Sequence, residues 1–593
     1  MKPPSLKSGD LAAAAGVEIP STIAPAAAVE GVTFTYHGGD RPALAGIDLA
    51  LMPGETIGIM GASGAGKSTI AKCLNRLVPG FEDGDFRGVV RIGGRALDGA
   101  RVCDVAATVG MVFQDFESQL FSTNVAHEVA FAMEQVGMPH HEIAARVRPA
   151  LDAVGLFGFD DRDPTSLSGG EKQRLAIAAV LALRPRVIVL DEPTSDLDPE
   201  GRAEVFALIR QLREQGLSLI VIEHEADELR HCDRVIIINQ GAIVAEGAPA
   251  EVMTQLDLLE RCGVHPPSLN RALAMVGIQA HAPSIDEAAT LIRRRFPQID
   301  QARAHLSPPP NPAEVAADIH RAPAVAPLVR IEGVSFAYPF GPHVLNRVNL
   351  EIAPGEFLAI IGQNGSGKTT LAKHLVGILQ PLEGRIMLSG RDRASLRPAE
   401  TAQEVGYVFQ NPDHQIFAAT VEEEVAFGPR NFGLDRAEVD HRCEEVLRAV
   451  NLLDARTRDP FLLSKGERQR LAVASVMALR PRLLILDEPT TGLDYREQRR
   501  MMTLIEDLNR NGIAIAMITH TPWLVAEYAR RVVLLRKGRM LFDGAVRDFF
   551  EQDELLEASS FRAPEVTTLG RRFGVTALRP EELAEWIRTS FAK

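Results

Sequence analysis

Two glycine-rich octapeptides in this chain have the residues and the spacing of loops that hold phosphate groups. They run from Gly61 to Ser68 and from Gly362 to Thr369, and both fit the pattern G-x-x-x-x-G-K-[ST]. Glycines let successive backbone N–H groups point at one cluster of phosphate oxygens, and the positive N-terminal end of the following helix adds to the attraction. Each octapeptide follows an apolar run that predicts a buried strand. We therefore expect two nucleotide sites in one chain.

Each loop contains a lysine and a hydroxyl residue to which the pattern assigns a role. We expect Lys67 and Lys368 to reach the β- and γ-phosphates, and Ser68 and Thr369 to ligate Mg²⁺. The other loop residues expected to contact the nucleotide are Gly61, Ser63, Gly64, Gly66 and Thr69 in the first loop, and Gly362, Asn364, Gly365, Gly367 and Thr370 in the second.

Two further runs of aliphatic residues end in a pair of acids. The pairs are Asp191-Glu192 and Asp487-Glu488. An acid at the C-terminal end of a buried parallel strand lies at the ligand-binding edge of the sheet. Asp191 and Asp487 are predicted to hold Mg²⁺, directly or through water, and Glu192 and Glu488 to polarise the attacking water as general bases.

A third repeated segment predicts a second anion site in each half. It reads LSGGEKQR from Leu167 and LSKGERQR from Leu463. Both copies precede a helical pattern, so each offers a helix N-terminus with exposed N–H groups and a hydroxyl. A plain capping turn would need only the serine and would not require the Gly-Glu-x-Gln-Arg that follows.

Size, charge and cysteines limit the class of protein. The chain has 593 residues, a net charge of −14 and five cysteines. That length predicts several domains, and the charge argues against a mainly nucleic-acid-binding surface. No stretch approaches the roughly 18 to 20 apolar residues that span a bilayer, and the Ala-rich start is not a signal peptide pattern. The cysteines form no C-x-x-C pair, which favours incidental thiols in a reducing compartment. We expect a soluble or peripheral cytoplasmic protein.

An internal repeat organises the chain. Lys67 and Lys368 are 368 − 67 = 301 residues apart, and Gln114 and Gln410 are 410 − 114 = 296 apart, so the first half carries five extra residues between these points. Strand patterns alternate with helical patterns, which predicts α/β domains with a largely parallel core sheet. The expected order is a disordered tail at 1–28, a first domain at 29–254 with a small helical appendage at 255–300, a Pro/Ala-rich linker at 301–327, a second domain at 328–548 and its appendage at 549–593.

Together these motifs resemble ATP-binding-cassette ATPases, two of which would be joined head to tail between Val29 and about Asp548. The resemblance implies ATP and Mg²⁺ as ligands, and an antiparallel β subdomain and a helical signature subdomain beside each core sheet. It also implies an intramolecular pseudo-dimer, in which each ATP lies between the phosphate loop of one half and the signature of the other. Site 1 would then combine Lys67, Asp191 and Glu192 with Ser464 and Gly466, and site 2 would combine Lys368, Asp487 and Glu488 with Ser168 and Gly170.

The resemblance assigns roles to residues outside these motifs. Tyr36 and Tyr338 would stack on adenine, Gln114 and Gln410 would sense Mg²⁺ and the γ-phosphate, His224 and His520 would contact the γ-phosphate, and the segments 195–198 and 491–494 would form cross-interface loops. One residue departs from the family pattern, because Lys465 replaces the first signature glycine. Its side chain must leave the γ-phosphate region or add a charge there, so unequal hydrolysis at the two sites is left open.

The segment after each glutamine narrows the resemblance further. Both copies have the pattern Gln-x-x-x-x-Gln-Φ-Phe followed by Glu-Val-Ala-Phe, which is similar to the ATPases of energy-coupling-factor importers of vitamins and metal ions. In that family a groove beside this helix receives helices of a transmembrane coupling subunit, and a separate membrane subunit binds the substrate. We expect both partners at the cytoplasmic face of the cell membrane, with Glu128 and Glu424 as acidic partners for arginines of the coupling subunit.

Two other functions remain as alternatives. A soluble twin cassette could act on ribosomes or DNA, although the acidic composition and scattered cysteines argue against that class. An exporter ATPase is the other alternative, although exporter halves usually carry fused membrane spans. The cargo stays open among thiamine precursors, other vitamins, cobalt and nickel.

Overall fold

The computed structural model describes residues 24–195, 197–302, 326–339 and 341–591. Most of the expected tail and linker, residues 1–23 and 303–325, lie outside the described residues. The described parts form two halves with the same order of elements, as the repeat in the sequence predicts.

The first half alternates strands and helices. Its strands are β1 Ala27–Tyr36, β2 Leu44–Leu51, β3 Thr56–Met60, β4 Gly84–Ile92, β5 Arg95–Ala96, β6 Val109–Val112, β7 Val187–Asp191, β8 Ser218–Ile222, β9 Arg234–Asn239 and β10 Ala242–Gly247. Its helices are α1 Lys67–Leu74, α2 Leu77–Gly80, α3 Val102–Ala106, α4 Val125–Gln135, α5 His140–Ala153, α6 Gly169–Ala182, α7 Pro199–Glu214, α8 Pro249–Val252, α9 Leu256–Arg261, α10 Ser268–Met275, α11 Ile285–Arg295 and α12 Ile299–Ala302.

The second half repeats this order. Its strands are β11 Val329–Ala337, β12 His343–Ile352, β13 Phe357–Ile361, β14 Glu383–Leu388, β15 Arg391–Asp392, β16 Val405–Val408, β17 Leu483–Asp487, β18 Ala514–Ile518, β19 Arg531–Arg536 and β20 Arg539–Ala545. Its helices are α13 Lys368–Leu375, α14 Pro398–Glu404, α15 Val421–Asn431, α16 Arg436–Ala449, α17 Lys465–Met477, α18 Tyr495–Arg510, α19 Pro522–Tyr528, α20 Val546–Glu551, α21 Asp553–Ser559, α22 Glu565–Arg572 and α23 Pro580–Phe591.

Each half contains a six-stranded core sheet and a four-stranded antiparallel sheet. The core sheet has the order β10-β9-β3-β8-β7-β6 in the first half and β20-β19-β13-β18-β17-β16 in the second. All neighbouring strands in it are parallel except the last hairpin, β9 with β10 and β19 with β20. The smaller sheets are β2-β1-β4-β5 and β12-β11-β14-β15. The predicted α/β class with a largely parallel core sheet is therefore confirmed.

The strand register brings the phosphate loop and the acidic pair of each half to one sheet edge. Every residue of β3, β7 and β8 is buried, because helices cover both faces of a parallel sheet. Ile222 is the neighbour of Ile59, near the end of β3, and of Asp191, the last residue of β7. Ile518 stands in the same relation to Ile360 and Asp487 in the second half.

The two C-terminal appendages share one hydrophobic core. Helix α10 packs against α23, and α11 packs against α22. The residues that meet there are almost completely buried and include Leu269, Leu273 and Ile292 of the first appendage with Leu569, Phe573 and Ile587 of the second. Arg271 also pairs with Glu581 at 2.8 Å. Because both appendages contribute to one core, they join the two halves.

The described residues move three of the expected domain boundaries. Strand β1 begins at Ala27, within the expected tail of residues 1–28. Helix α12 reaches residue 302, so the first appendage extends into the expected linker. The boundary at 548/549 cuts α20, whose Phe549 and Phe550 are fully buried in the core of the second domain. In the part of the chain that the structure describes, no helix combines the length and the apolar character needed to cross a membrane.

Candidate functional site

Both phosphate loops connect the C-terminal end of a central strand to the start of a helix. The first loop joins β3 to α1, and the second joins β13 to α13. Gly66 and Gly367, the residues that precede the two helices, have left-handed φ values of 106° and 105°. A Cβ atom at these positions would lie 2.4 Å and 2.8 Å from the backbone oxygens of residues 43 and 344. Only glycine fits there, so the backbone can curve tightly around the space where a phosphate would bind.

The lysine of each loop folds back across its own loop. Lys67 Nζ donates hydrogen bonds to the backbone oxygens of residues 61 and 62 at 2.9 and 3.0 Å. Lys368 Nζ donates to those of residues 362 and 363 at 2.7 and 3.0 Å. Burial lowers the pKa of both ammonium groups, against the attraction of the neighbouring acidic pair in each half. Each ammonium group therefore lies inside the loop, where phosphate oxygens would accept its hydrogen bonds.

The predicted magnesium ligands meet at the sheet edge beside the loops. Thr369 Oγ1 donates to Asp487 Oδ2 at 2.9 Å. In the first half, burial raises the pKa of Asp191 to about 6 despite the nearby Ser68 hydroxyl. Asp191 Oδ1 is buried and has no hydrogen-bond partner among the described residues. A hydroxyl and a carboxylate in each half are the hard oxygen ligands that Mg²⁺ prefers, so the donor set fits the ion.

Each general-base candidate lies one residue beyond its strand in a strained backbone conformation. Glu192 and Glu488 have φ values of 49° and 52°, which residues with a side chain rarely adopt. His224 Nε2 lies 2.6 Å from Glu192 Oε1, and His520 Nε2 lies 3.1 Å from Glu488 Oε1. The fold thus brings the predicted base and the predicted histidine together in both halves.

The two general-base carboxylates differ in their electrostatic surroundings. Burial opposes the ionisation of Glu192, but the His224 ring and the Lys67 ammonium outweigh it and lower the pKa of Glu192 to about 2. At Glu488, burial outweighs the attraction of Lys368 and raises the pKa to about 8. Burial therefore disfavours ionisation more strongly at Glu488 than at Glu192.

The two glutamines also occupy different positions. Gln114 Nε2 donates to Glu192 Oε2 at 2.6 Å, and the Ser195 hydroxyl donates to the same oxygen at 3.2 Å. Gln410 instead lines a cavity of about 910 Å³ beside the second phosphate loop. Ser195, Leu197 and Pro199 of the first half border this cavity, so residues of both halves line it. Gln114 is thus hydrogen-bonded to the general-base candidate of its own half, whereas Gln410 lines the cavity of the second half.

The two tyrosines expected to stack on adenine lie at the same place in each half. Tyr36 Oη is 3.0 Å from Thr69 Oγ1, and Tyr338 Oη is 3.4 Å from Thr370 Oγ1. Each ring packs edge-on against the phenylalanine two residues before it, with centroids 4.8 and 5.0 Å apart. The rings therefore lie beside the phosphate-loop helices, where an adenine base could reach them.

The signature serines do not meet the opposite phosphate loops. Ser168 and Ser464 are exposed and cap α6 and α17 in capping boxes with the glutamates three residues later. Neither hydrogen-bonds to a phosphate loop within the described residues, and neither Ser168 nor Gly170 lines the 910 Å³ cavity. Gly466 is buried beside its own α18, where a Cβ would lie 2.7 Å from Glu497 Oε2. The predicted composite sites are thus not assembled in this arrangement.

Residues outside the signatures contact the phosphate loops across the two halves, and these contacts differ between the two loops. Asp494 Oδ2 accepts a hydrogen bond of 2.8 Å from the backbone N–H of Ser63, in the first phosphate loop. At the second loop, Gln363 Nε2 donates to Glu200 Oε2 of the first half at 3.2 Å and to Ser560 Oγ at 2.8 Å. The first loop has alanine at the position equivalent to Gln363.

The lysine in the second signature lies along its own half. A Cβ at Gly492 would be 2.0 Å from Lys465 Nζ and 3.0 Å from its Cε. The side chain therefore covers the backbone of the segment 491–494, which leads to Asp494. The Lys465 side chain therefore runs beside the cross-interface loop of its own half.

Two features of the site were not predicted from the sequence. Tyr407 Oη donates to Asp487 Oδ2 at 2.8 Å, and the aligned position in the first half is Met111. Aligning the halves with the offset of 296 between Gln114 and Gln410 would have shown that tyrosine stands in place of methionine here. Phenylalanine pairs follow both glutamines: Phe121 with Phe131, and Phe417 with Phe427, with ring centroids 4.4 and 4.7 Å apart. Phe131 is half-buried, and the other three rings are exposed.

The expected role of Glu128 and Glu424 as acidic partners requires correction. Both side chains are only 3% exposed. Glu128 Oε2 accepts backbone hydrogen bonds from residues 121 and 122 at 3.0 and 2.7 Å, and Glu424 Oε2 accepts from residues 417 and 418 at 2.9 Å. The carboxylates therefore brace the turn that carries the exposed phenylalanine, because buried N–H groups and buried charges both need partners.

Comparisons with known proteins identify the family of this chain. A family model described as ABC transporter matches residues 44–195 and 345–491. A protein of Caldanaerobacter subterraneus subsp. tengcongensis is 45% identical over 562 residues, which cover 94% of this chain and 97% of that protein. A protein of Methanosarcina acetivorans is 41% identical over 546 residues, which cover 91% of this chain and 89% of that protein. Both carry the name "Putative ABC transporter ATP-binding protein".

One solved structure, that of cbiO1 from Clostridium perfringens, is described as part of the ABC transporter complex cbiONQ. It aligns at 32% sequence identity with 40% of this chain and 97% of its own, with a TM-score of 0.37. A superposition at that score carries no argument about this chain. The two segments matched by the family model each contain one phosphate loop and one acidic pair. The chain therefore belongs to the ABC transporter family and carries two of its ATP-hydrolysing domains in tandem.

Proposed function

We propose that this protein is the energising subunit of an energy-coupling-factor-type importer. ATP hydrolysis by the two halves would drive uptake of a vitamin, a vitamin precursor or a transition-metal ion. A transmembrane coupling subunit and a substrate-binding membrane subunit would form the path, and this chain would lie peripherally at the cytoplasmic face of the cell membrane. The resemblance of the segments after both glutamines to that importer family supports the proposal.

The exposed phenylalanine pairs are the observation that carries the proposal. Phe121 and Phe417 are each 60% exposed and Phe427 is 48% exposed, although aromatic rings of this size are normally buried. In each pair, the first phenylalanine precedes the helix that follows the glutamine, and the second lies in that helix. A buried glutamate accepts a hydrogen bond from the backbone N–H of the first phenylalanine. An apolar surface that appears once in each half suits one partner that presents two helices.

Arginines on the partner would still find favourable contacts at these pairs. Guanidinium groups stack on aromatic faces within about 6 Å, a contact worth about 0.5–2 kcal/mol depending on burial. Phe121 and Phe417 lie in the segments that join Gln114 to α4 and Gln410 to α15, so movement at an ATP site would be passed to the partner along the chain. This route replaces the ion pair that was expected at Glu128 and Glu424.

The chain's own residues would perform hydrolysis as follows. Lys67 and Lys368 would hold the β- and γ-phosphates. The backbone N–H groups of the loops would donate hydrogen bonds to the oxygens on which negative charge develops. Glu192 and Glu488 would take a proton from the attacking water. Ser68 with Asp191, and Thr369 with Asp487, would hold Mg²⁺, which would supply positive charge to neutralise the phosphates. His224 and His520 would orient the bases.

Closure of the two halves would couple hydrolysis to transport. The signature serines are exposed and have no hydrogen bond to the opposite loops among the described residues, while the appendages and the Asp494–Ser63 hydrogen bond already join the halves. ATP would bridge a phosphate loop and the opposite signature only after closure, so it would favour the closed state by its greater affinity for that state. Closure would move the two phenylalanine pairs relative to each other.

The test of the proposal is affinity purification from gently solubilised native membranes, with identification of the co-eluting proteins. The full chain should retain two small polytopic membrane proteins. The double substitution Phe121→Ala and Phe417→Ala should lose them while ATP binding persists, because neither residue lines the cavity beside the second phosphate loop. Leu541→Ala, at another exposed apolar residue (44% exposed) on β20, serves as the matched control and should retain them.

Two results would contradict the proposal. Retention of the membrane partners by the double variant would show that the phenylalanine pairs are not the docking surface. Recovery of ribosomal or DNA-repair proteins, with no membrane partner, would instead support a soluble twin ATPase.

A further inference from the structure

A tyrosine outside the family motifs contacts the predicted magnesium carboxylate of the second half. Tyr407 lies in β16, next to β17 in the core sheet, and Tyr407 donates its hydroxyl hydrogen to Asp487 Oδ2 at 2.8 Å. The same oxygen accepts the 2.9 Å hydrogen bond of Thr369 Oγ1. The Tyr407 ring is itself fixed by an edge-on contact with Phe409, with centroids 4.8 Å apart. Two donors on one oxygen leave the carboxylate a single orientation.

The first half provides an internal control for this contact. The position equivalent to Tyr407 is Met111, since both are the third residue of matching strands, β6 and β16. Met111 Sδ accepts a hydrogen bond from Asn75 Nδ2 at 2.8 Å, so it is committed to a different neighbour. Asp191 receives no hydrogen bond from a side chain at this position, and its Oδ1 is buried without a partner among the described residues. The two halves share the carboxylate and differ in the donor behind it.

We propose that Tyr407 is a positioning residue that orients Asp487 for Mg²⁺, so that the second site binds the ion more tightly than the first. Hydrogen bonds from outside the ligand set fix the rotamer of a metal-binding carboxylate, and their loss typically reduces metal affinity by about 10- to 100-fold. The Asp191 carboxylate lacks such a donor and must be oriented by the ion itself. This inference concerns the ATP sites and does not depend on the importer role.

Divalent metal binding to the full-length chain tests the proposal without relying on ATP hydrolysis. The probe is Mn²⁺, which occupies magnesium sites and is counted by electron paramagnetic resonance at a fixed concentration of a non-hydrolysable ATP analogue. Asp191→Asn isolates the second site, and Asp487→Asn isolates the first. In the Asp191→Asn background, Tyr407→Phe should weaken Mn²⁺ binding by about 10-fold. In the Asp487→Asn background the same change should have no effect.

A second variant separates the hydroxyl from the packing of the ring. Tyr407→Met copies the first half and should weaken Mn²⁺ binding as much as Tyr407→Phe does. Equal weakening in both backgrounds would overturn the proposal, because it would indicate a general loss of structure. An effect of Tyr407→Met without an effect of Tyr407→Phe would also overturn it, because only the ring would then matter. So would equal Mn²⁺ affinities of the two unsubstituted sites.

Discussion

The two ATP sites share their motifs but differ in the residues around them. In the first, Gln114 and His224 hold Glu192, and Asp494 of the other half contacts the phosphate loop. In the second, Gln410 lines an open cavity of about 910 Å³ and Tyr407 braces Asp487. The two halves share the motif residues that are expected to touch nucleotide, and they differ in the residues behind them. Among the described residues, Glu192 of the first site has a glutamine partner, and the cavity of the second site is bordered by Gln410 instead.

The general bases should show the largest difference between the sites. Loss of a general base costs about 10²–10⁴ in rate at its own site. If the second site performs most of the turnover, Glu488→Gln should reduce steady ATP hydrolysis by about 10-fold or more, and Glu192→Gln by about twofold. Both variants together should bind ATP and hydrolyse almost none. Equal effects of the two single changes, measured by phosphate release, would remove the distinction between the sites.

The contact of Asp494 with the first phosphate loop has a matched control in Asp198. Each aspartate caps its helix, α18 or α7, by accepting a backbone hydrogen bond at 2.9 Å. Replacement by alanine should cost about 1 kcal/mol of unfolding free energy in either half. Asp494→Ala should cost about 1 kcal/mol more, because it also leaves the Ser63 N–H without its partner. Chemical denaturation measures both losses, and identical values would show that the interface contact contributes nothing.

The segments that follow the two histidines should differ in their response to pH. Burial raises the pKa of Asp227 to about 7 and that of Glu228 to about 8, while the second half has Trp523 and Leu524 at these positions. The folded chain then binds protons that the unfolded chain has released between about pH 4 and 8, so stability falls as pH rises through that window. The melting temperature should drop between pH 5.5 and 8.

Removal of the two acids is the control for that pH dependence. The double substitution Asp227→Asn and Glu228→Gln should flatten the change in melting temperature between pH 5.5 and 8. Trp523→Phe, at the equivalent place in the second half, should leave the slope unchanged. A slope that survives the removal of both acids would assign the effect to other groups.

The smallest effect is expected at Gln363, which links the second phosphate loop to Glu200 and Ser560. Gln363→Ala makes this loop resemble the first, which has alanine at the matching position. The lost hydrogen bonds are partly exposed, so unfolding free energy should fall by at most about 1 kcal/mol. The substitution removes a contact between the halves, because Glu200 lies in the other half. The shared core of the appendages should still hold the halves together. Dissociation of the two halves, seen after proteolytic cleavage of the linker, would contradict this account.

The sequence predicted those parts of the fold that depend on local pattern. The core strands, the phosphate loops and the acidic pairs at strand ends follow from apolar runs and fixed spacing, and β7 and β17 end at Asp191 and Asp487 as expected. The α/β class and the ABC family are confirmed. The individual roles of the site residues stay predictions, because neither the comparisons nor the geometry tests them.

The remaining features depend on contacts between distant segments. The hydrogen bond between Tyr407 and Asp487 joins two strands that are adjacent only in the folded sheet. The shared core of the two appendages depends on pairing across the linker, which periodicity within one helix cannot reveal. Glu128 and Glu424 were expected to face arginines of a coupling subunit because the segment resembles that of the importer family. Each turns inward instead, since two backbone N–H groups of the preceding turn need an acceptor.

Vanadate trapping with a photoreactive ATP analogue tests the inequality of the two sites most directly. The full chain would be trapped during turnover and cross-linked, and the labelled peptides would be assigned to the first or the second half. The account predicts more label in the second half, at peptides from residues 328–548, and loss of this excess in Tyr407→Phe. Equal labelling of both halves, or an excess in residues 29–254, would contradict it.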